Sequence, residues 1–224
     1  MESAAFFDII LCGGDFMNDS ELRILSGPQI TRRHIEQALL LDRISYDDEY
    51  QLQTDTCVGY YQKNPDIYFM AVVPARDQVV GYINFSPVTE AMYQRIRSGA
   101  VIDTVITADD VVTYRDGVPC WGYLSSIAVH PDYRDQGLAA RLLYQLEAFI
   151  ARLASERGIY FHAIVADAVS AGGRHLLSES GFQQIRTSAH DTNIMEFVPY
   201  AETARPAKYN HDILNAYRKG DCES

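Results

Sequence analysis

Residues 127–141 have the sequence IAVHPDYRDQGLAAR, and this stretch decides the fold of the chain. A strand-like run over 121–129 comes before it and closes at His130-Pro131. Beyond the turn, apolar residues recur at helical spacing, which predicts one buried helix face and a helix that ends near Gly158. The members of that face are Leu138, Leu142, Leu146, Phe149, Ile150 and Leu153. The stretch therefore predicts a strand, a turn, and a loop whose backbone amides begin a long helix.

The start of this helix has the properties of an anion site. Unpaired N–H groups and the positive end of the helix dipole attract anions, above all phosphate. Gly137 allows the backbone a close approach, and Ala139 and Ala140 leave space above the first turn. The sequence has neither a P-loop lysine nor a GxGxxG motif. ATP hydrolysis and dinucleotide binding are therefore disfavoured.

Elements on both sides of this stretch predict a mixed α/β sheet. Upstream, the pattern favours a strand, two helices, a hairpin and a helix, at residues 22–25, 31–41, 49–61, 67–73 with 79–85, and 90–97. Downstream, it favours a strand, a helix and two strands, at residues 160–165, 170–179, 182–187 and 193–198. A right-handed crossover makes the strand at 160–165 parallel to the strand at 121–129. The predicted fold class is thus α/β (α+β), with one βαβ unit near the end of the sheet.

The length of 224 residues fits one domain with extensions. We expect a single domain over 22–200, with an N-terminal arm at 1–21 and a C-terminal tail at 201–224. The stretch of about 86–119 has the character of an insertion between two strands.

The composition excludes several classes of protein. Hydrophobic residues make up 47% of the chain and charged residues 22%, which excludes disordered and fibrous chains. With 19 basic and 30 acidic residues the net charge is −11, which disfavours nucleic acid and anionic membranes as partners. No apolar run reaches about 18 residues, so no membrane span is predicted. Four cysteines without metal-ligand spacing predict free thiols, no metal site and a cytoplasmic location.

The residues quoted above resemble a known family. The pattern Arg134-x-x-Gly137-x-Ala139, preceded by Ile127-Ala128-Val129-x-Pro131, is similar to the acyl-CoA signature of the GNAT superfamily of N-acetyltransferases. Residues 176–182, LLSESGF, resemble the second motif of that family, a helix followed by Gly-Phe at the start of a strand. The resemblance covers roughly residues 22–198. It implies a mostly antiparallel twisted sheet with flanking helices, a central parallel pair that splays apart, and acetyl-CoA as cosubstrate.

The resemblance also assigns the cofactor-binding residues. The main chain at Ile127, Ala128 and Val129 would pair with the pantetheine arm in the manner of an added strand. After Arg134, a run of backbone amides would cradle the pyrophosphate, namely those of Asp135, Gln136, Gly137, Leu138, Ala139 and Ala140. The splay between the two parallel strands would admit the arm and the acceptor.

The usual catalytic pair of the family is missing. Leu177 stands where many members carry an acid tyrosine, and Tyr123 and Val165 stand where relatives carry a glutamate base. We therefore expect water-mediated deprotonation through one of two side chains. His162 is a catalytic base or a packed core histidine, and Asp167 is a base or a cap of the next helix.

In this view hydroxyl groups order the waters, and those groups belong to Tyr123, Ser125 and Ser126. No single change to alanine at these three positions or at the two candidate bases should then cost as much as about 100-fold in kcat.

The function expected from the sequence is direct transfer of an acetyl group from acetyl-CoA to a primary amine of a small molecule or a peptide. A non-catalytic acyl-CoA sensor of the same fold is the alternative, and a nucleotide-binding regulator is a third. Asp103, Asp109 and Asp110 are either solvated loop charges or contacts to a cationic acceptor. The edge strands leave a homodimer open.

Overall fold

The computed structural model of the protein describes residues 22–200, 204 and 206–220. The expected N-terminal arm and parts of the expected tail lie outside these residues. The seven strands are β1 (Arg23–Ser26), β2 (Tyr68–Val73), β3 (Gln78–Val88), β4 (Cys120–Val129), β5 (Phe161–Ala168), β6 (Gln183–Thr187) and β7 (Asn193–Phe197). The six α-helices are α1 (Arg32–Arg43), α2 (Thr54–Lys63), α3 (Glu90–Arg97), α4 (Leu138–Arg157), α5 (Ala171–Glu179) and α6 (His211–Gly220).

The strands form one sheet in the order β1-β2-β3-β4-β5-β7-β6. Strand β4 pairs with β5 in parallel, and every other neighbouring pair in this sheet is antiparallel. Helix α4 makes the crossover between β4 and β5. The predicted fold class is confirmed, including the mostly antiparallel sheet and its parallel βαβ unit.

Two apolar layers cover the sheet. Buried side chains of α4, α5 and α6 pack on one face, and those of α1, α2 and α3 pack on the other. All six residues of the predicted α4 face are buried. The helix ends where Gly158 adopts a left-handed conformation, with φ of 61°, which glycine tolerates without steric cost.

Helix α1 begins as its sequence predicts. The Thr31 hydroxyl accepts a hydrogen bond from the His34 amide (3.4 Å), and the His34 ring accepts one from the Thr31 amide (3.1 Å). This reciprocal cap satisfies two amides that the helix leaves unpaired. The apolar stripe of the helix then packs against the sheet through Ile35, Ala38, Leu39 and Leu41.

The stretch expected to be an insertion is partly core. Its first residues complete β3, and α3 buries Met92, Tyr93 and Ile96. The remainder, residues 98–119, is irregular apart from a 3-10 turn at Asp103–Val105 and a bridge from Val111 to Val88. The expectation of a peripheral insertion was wrong for α3, because the apolar stripe of this helix covers the sheet.

The described part of the tail also belongs to the core. Helix α6 packs on α4, and the side chains of Tyr209, Ile213, Leu214 and Tyr217 are buried. The Tyr217 hydroxyl accepts a hydrogen bond from the Phe161 amide at 2.6 Å. Residues 206–220 thus close one face of the sheet, a role that the sequence did not indicate.

Two boundaries differ from the sequence predictions. The second predicted helix divides into a 3-10 turn at Asp48–Tyr50 and helix α2. Strand β5 continues to Ala168, so Asp167 lies inside the strand, and Ser170 caps α5 by accepting from the Gly173 amide. Among the residues that the structure describes, no helix is both long and apolar enough to cross a bilayer.

Candidate functional site

The two parallel strands separate near the middle of the sheet. Pairing between β4 and β5 ends at Leu124 and Ala166. Opposite β3, the register shifts so that Ser125 is an extra residue of β4, and its hydroxyl donates to Asn84 Oδ1 at 2.7 Å. A β-bulge bends the strand that contains it. The bulge therefore lies at the point where β4 leaves β5.

A cleft of about 620 Å³ occupies the space between the separated strands. One part is lined by the end of β4, the loop before α4 and the first turn of α4. The lining also includes Ser45, Tyr46, Tyr50, Asp103, Tyr123 and Asp167, and we call these six residues the acidic end of the cleft. Nine of the ten predicted cofactor-binding residues line the cleft, and Gln136 is the exception. The Gln136 side chain instead donates to the Asp132 carbonyl at 2.7 Å.

The N-terminus of α4 faces this cleft without a side-chain cap. Gly137 is the N-cap residue, adopts φ of 79° and has no side chain that could accept a hydrogen bond from the first turn. A Cβ atom added at Gly137 would meet nothing within 4 Å. Arg134 holds the loop against β4, since its Nε donates to the Val129 carbonyl at 3.1 Å. Free amides, a helix dipole and open space together fit a phosphate group.

The cleft brings together four of the five predicted catalytic residues. Tyr123, Ser125, Ser126 and Asp167 line it, and His162 does not. His162 is exposed near the start of β5, with its ring 4.8 Å from that of Trp121. The interpretation of His162 as a packed core histidine was wrong, because its side chain is exposed, and the residue does not line the cleft.

Tyr123 is a buried member of the acidic end. Burial, with the nearby charges of Asp103 and Asp167, raises the pKa of Tyr123 well above its ordinary value. The hydroxyl therefore stays protonated at neutral pH, so it is not a proton acceptor in the manner of a phenolate.

Two carboxyl groups of the acidic end each have one oxygen atom without a partner among the described residues. The Oδ1 atoms of Asp103 and Asp167 are buried and accept no hydrogen bond within the described part of the chain. Burial raises the pKa of Asp167 above its ordinary value. Burial, and then the charges of Asp42 and Asp167, raise the pKa of Asp103 to about 7. The cleft thus holds two carboxyl groups that can exchange protons nearer to neutral pH than an exposed aspartate.

The three aspartates of the irregular stretch do not act as one group. Asp103 faces the cleft, whereas the Asp110 carboxylate accepts hydrogen bonds from the Thr107 amide and hydroxyl, each at 2.9 Å. Asp109 is exposed and lies outside the cleft. Only Asp103 is therefore placed to contact an acceptor.

Sequence reasoning missed Asp42, Tyr46 and Tyr50. The Tyr46 hydroxyl donates to the Ile127 carbonyl at 3.0 Å, and Arg134 donates to the Val129 carbonyl. These two carbonyls of β4, which would face a pantetheine arm, therefore already accept one hydrogen bond each. Each carbonyl oxygen has a second lone pair that stays available.

The sequence did contain a signal for Asp42. This residue stands seven positions after Ile35 and four after Ala38, on the apolar stripe of α1.

Stability should depend on pH through Asp42. The carboxyl group is buried, accepts a hydrogen bond from the Tyr82 hydroxyl at 2.5 Å, and has a pKa raised by burial to about 7. The unfolded chain has the ordinary value near 3.8. Between these two values the folded protein binds more protons than the unfolded chain, so stability falls as pH rises from about 4 to about 7.

Asp42→Asn should therefore raise Tm at pH ~8 and leave it nearly unchanged at pH ~4. Removing the buried charge should add on the order of 2–4 kcal/mol, or roughly 5–10 °C. Thermal melts followed by circular dichroism at both pH values measure this difference. The exposed Asp47, changed to Asn, is the matched control and should have no effect. An equal shift of Tm at both pH values for Asp42→Asn would contradict the assignment.

The chain matches the model of a known protein family. Residues 35–182, more than half of the chain, match the model of the acetyltransferase (GNAT) family. No curated protein matches the chain. In the described part of the chain, no group of histidine, cysteine and acidic residues has the arrangement of a metal site.

Three solved structures illustrate the likeness in fold. PH1933 from Pyrococcus horikoshii OT3 is 15% identical, with a TM-score of 0.53 over 80% of this chain and 98% of that chain. The loading GNATL domain of CurA from Lyngbya majuscula is 12% identical, with a TM-score of 0.55 over 79% and 97%. The NatC complex bound to Gag peptide and CoA includes a chain that is 13% identical, with a TM-score of 0.54 over 79% and 96%. At these identities the likeness shows the fold.

Proposed function

Because this chain belongs to the GNAT family of acetyltransferases, we propose that it transfers an acetyl group from acetyl-CoA directly to a primary amine. Acetyl-CoA is the cosubstrate. One observation carries the proposal: a single cleft joins the uncapped N-terminus of α4 to the carboxyl group of Asp167, whose buried Oδ1 has no partner among the described residues. The first feature suits a pyrophosphate, and the second suits proton transfer from an amine.

The cofactor half of the cleft is assigned to the loop before α4. The amides from Asp135 to Ala140 would bind the pyrophosphate, and charge-assisted bonds of this kind are about twice as strong as neutral ones. The separated end of β4, at Ile127 and Val129, would lie along the pantetheine arm. The NatC structure is a complex with CoA and a peptide, which supports CoA as the ligand of this fold.

The chemical step needs a proton acceptor. A lysine-like amine has a pKa of about 10.4, so presenting it neutral at pH 7 costs roughly 4.6 kcal/mol. The amine nitrogen attacks the thioester carbonyl carbon and the carbon–sulfur bond breaks. The amine proton passes to Asp167, directly or through a water ordered by Ser125, Ser126 and Tyr123.

The leaving group needs less help. A thiol has a pKa of about 8.5, so it can leave as a thiolate and take its proton from water. Leu177, which stands where many relatives carry an acid tyrosine, lines the cleft with an apolar side chain. The absence of a tyrosine at that position is therefore compatible with turnover.

The compartment and the acceptor belong to the same proposal. The free thiols of Cys57 and Cys120 support a reducing compartment such as the cytoplasm. Either a small molecule or a peptide could supply the amine.

The proposal is tested by measuring acetyl-CoA binding and CoA release. Acetyl-CoA should raise Tm, and at 100 times its Kd it adds about 2.7 kcal/mol of stability. Pantetheine, which lacks the phosphates, should raise Tm much less. A panel of primary amines should then release CoA at rates above the hydrolysis background. A rise in Tm without CoA release from any amine would instead support the non-catalytic sensor.

A further inference from the structure

A small inner cavity lies behind the acidic end of the cleft. Its volume is about 30 Å³, which is the space of one water molecule or one ammonium group. It shares several wall residues with the cleft, namely Tyr50, Asp103, Tyr123, Ser125 and Ser126. Asp42 and Tyr82 are among the residues that line its far side. Asp103 therefore lines both the cleft and this recess.

Among the described residues that line this recess, the charged side chains are those of Asp42 and Asp103. The carboxyl groups of Asp42 and Asp167 both act on Asp103, whose Oδ1 is buried without a partner. Arg134 and His175 are the basic side chains among the described residues that line the cleft, and neither forms an ion pair with Asp103. A buried carboxylate is costly unless a cation or several donors compensate it. The described part of the chain therefore places no positive group in the lining of this recess.

The reacting amine cannot be that positive group. It must lose its charge before it attacks the thioester, and the proposed function places that event at Asp167. A nitrogen held by Asp103 would instead stay charged, because a neighbouring carboxylate favours the ammonium form. Two carboxyl groups in two positions therefore suit two nitrogen atoms. Tyr50 and Tyr123 add hydroxyl groups and ring faces, both of which suit an ammonium ion.

We propose that the acceptor is a small diamine whose non-reacting ammonium group binds Asp103 at the mouth of the inner cavity, while its other amine faces Asp167. This inference rests on the proposed function. The small volume of the recess favours a terminal ammonium group over a bulkier cation.

The test compares matched amines. We would measure kcat and KM by CoA release for 1,4-diaminobutane and its homologues, each beside the n-alkylamine of the same length. A charged hydrogen bond of this kind should favour the best diamine by about 10- to 100-fold in kcat/KM. Asp103→Asn keeps the shape of the side chain and should remove that preference. Its effect should fall on KM for the diamine, with kcat nearly unchanged, because the contact is the same in the ground state and the transition state.

A matched control and a binding measurement complete the design. Asp109→Asn changes an exposed aspartate of the same stretch and should leave both amines unaffected. In the presence of CoA, where no acetyl group is available, the diamine should raise Tm of the parent protein more than the monoamine does. Asp103→Asn should lose this extra rise. If that variant does not fold, the comparison of the two amines on the parent decides the question.

The outcomes separate this inference from the proposed function. Equal turnover and equal Tm shifts for a diamine and its matched monoamine would overturn the inference and leave the acetyltransferase proposal intact. A loss of kcat with both amines in Asp103→Asn, at unchanged KM, would also overturn it, because Asp103 would then act in catalysis. A diamine-specific rise in Tm without any CoA release would support the diamine site and overturn the proposed function.

Discussion

Replacing Asp167 with asparagine should lower kcat by about 10²–10⁴-fold, which is the usual contribution of a positioned acid or base. Asp167 lies one residue beyond the last β4–β5 pair, and its buried Oδ1 has no partner among the described residues. The sequence alone predicted losses below about 100-fold at each of five positions. The structure changes that expectation, because it removes His162 from the cleft and leaves Asp167 as the carboxyl group at the splay.

The pH profile gives an independent check on this role. In a plot of kcat against pH, the rising limb marks the loss of a proton from the base. Because burial raises the pKa of Asp167, this limb should lie at a higher pH than for an exposed aspartate. A base is active when deprotonated, so the kcat of the parent should rise with pH through this limb. Asp167→Asn should lose the limb and keep only the slow climb towards the amine pKa of about 10.4.

The measurement is steady-state CoA release, with acetyl-CoA affinity followed by calorimetry. Affinity should be unchanged in Asp167→Asn, which separates catalysis from cofactor binding. His162→Ala is the matched control on the same strand, outside the cleft, and should retain kcat. A loss below about tenfold in Asp167→Asn with intact acetyl-CoA binding would show that bulk water accepts the amine proton instead of Asp167. A positioned base contributes more than tenfold.

Gly137→Glu should weaken acetyl-CoA binding by at least about 100-fold, or roughly 2.7 kcal/mol. The new side chain would enter the open space in front of the uncapped α4 amides. Its carboxylate would compete with the pyrophosphate for those amides and repel its charge. The positive φ of 79° adds backbone strain, so part of any loss of stability has a separate origin.

Gly117→Glu separates these two effects. Gly117 adopts a similar φ of 73°, and an added Cβ would also meet nothing within 4 Å. It is exposed and lies outside the cleft. Both variants should lose similar stability by denaturant titration, and only Gly137→Glu should lose acetyl-CoA affinity by calorimetry. Equal acetyl-CoA affinity of Gly137→Glu and the parent would show that the pyrophosphate does not bind at this loop.

Local patterns in the sequence determined the elements of the fold. The apolar repeat of α4, the Thr31 cap of α1, the Ser170 cap of α5 and the bounds of α3 all follow from residues a few positions apart. Helix periodicity and capping depend on neighbours within one or two turns. The cofactor loop was predicted for the same reason, because a strand, a turn and a helix start are contiguous in the chain.

Long-range packing brings together the carboxyl groups in and behind the acidic end. Asp42 belongs to a helix, Asp103 to a 3-10 turn and Asp167 to a strand, and they come close enough to interact only in the folded chain. Their shifted pKa values arise from burial and from each other, which no single segment contains.

The tail and His162 depended on long-range packing as well. The described tail joins the core because α4 offers a surface to the apolar face of α6. The register between β4 and β5 shifts between Cys120 and Gly122, close to His162, so strand alternation did not reveal its exposure. Local sequence patterns thus predicted most helices, most strands and the loop before α4, because the causes of these features lie within short segments. Only the packed sheet decided which carboxyl groups face the cleft, because that depends on contacts between residues far apart in the chain.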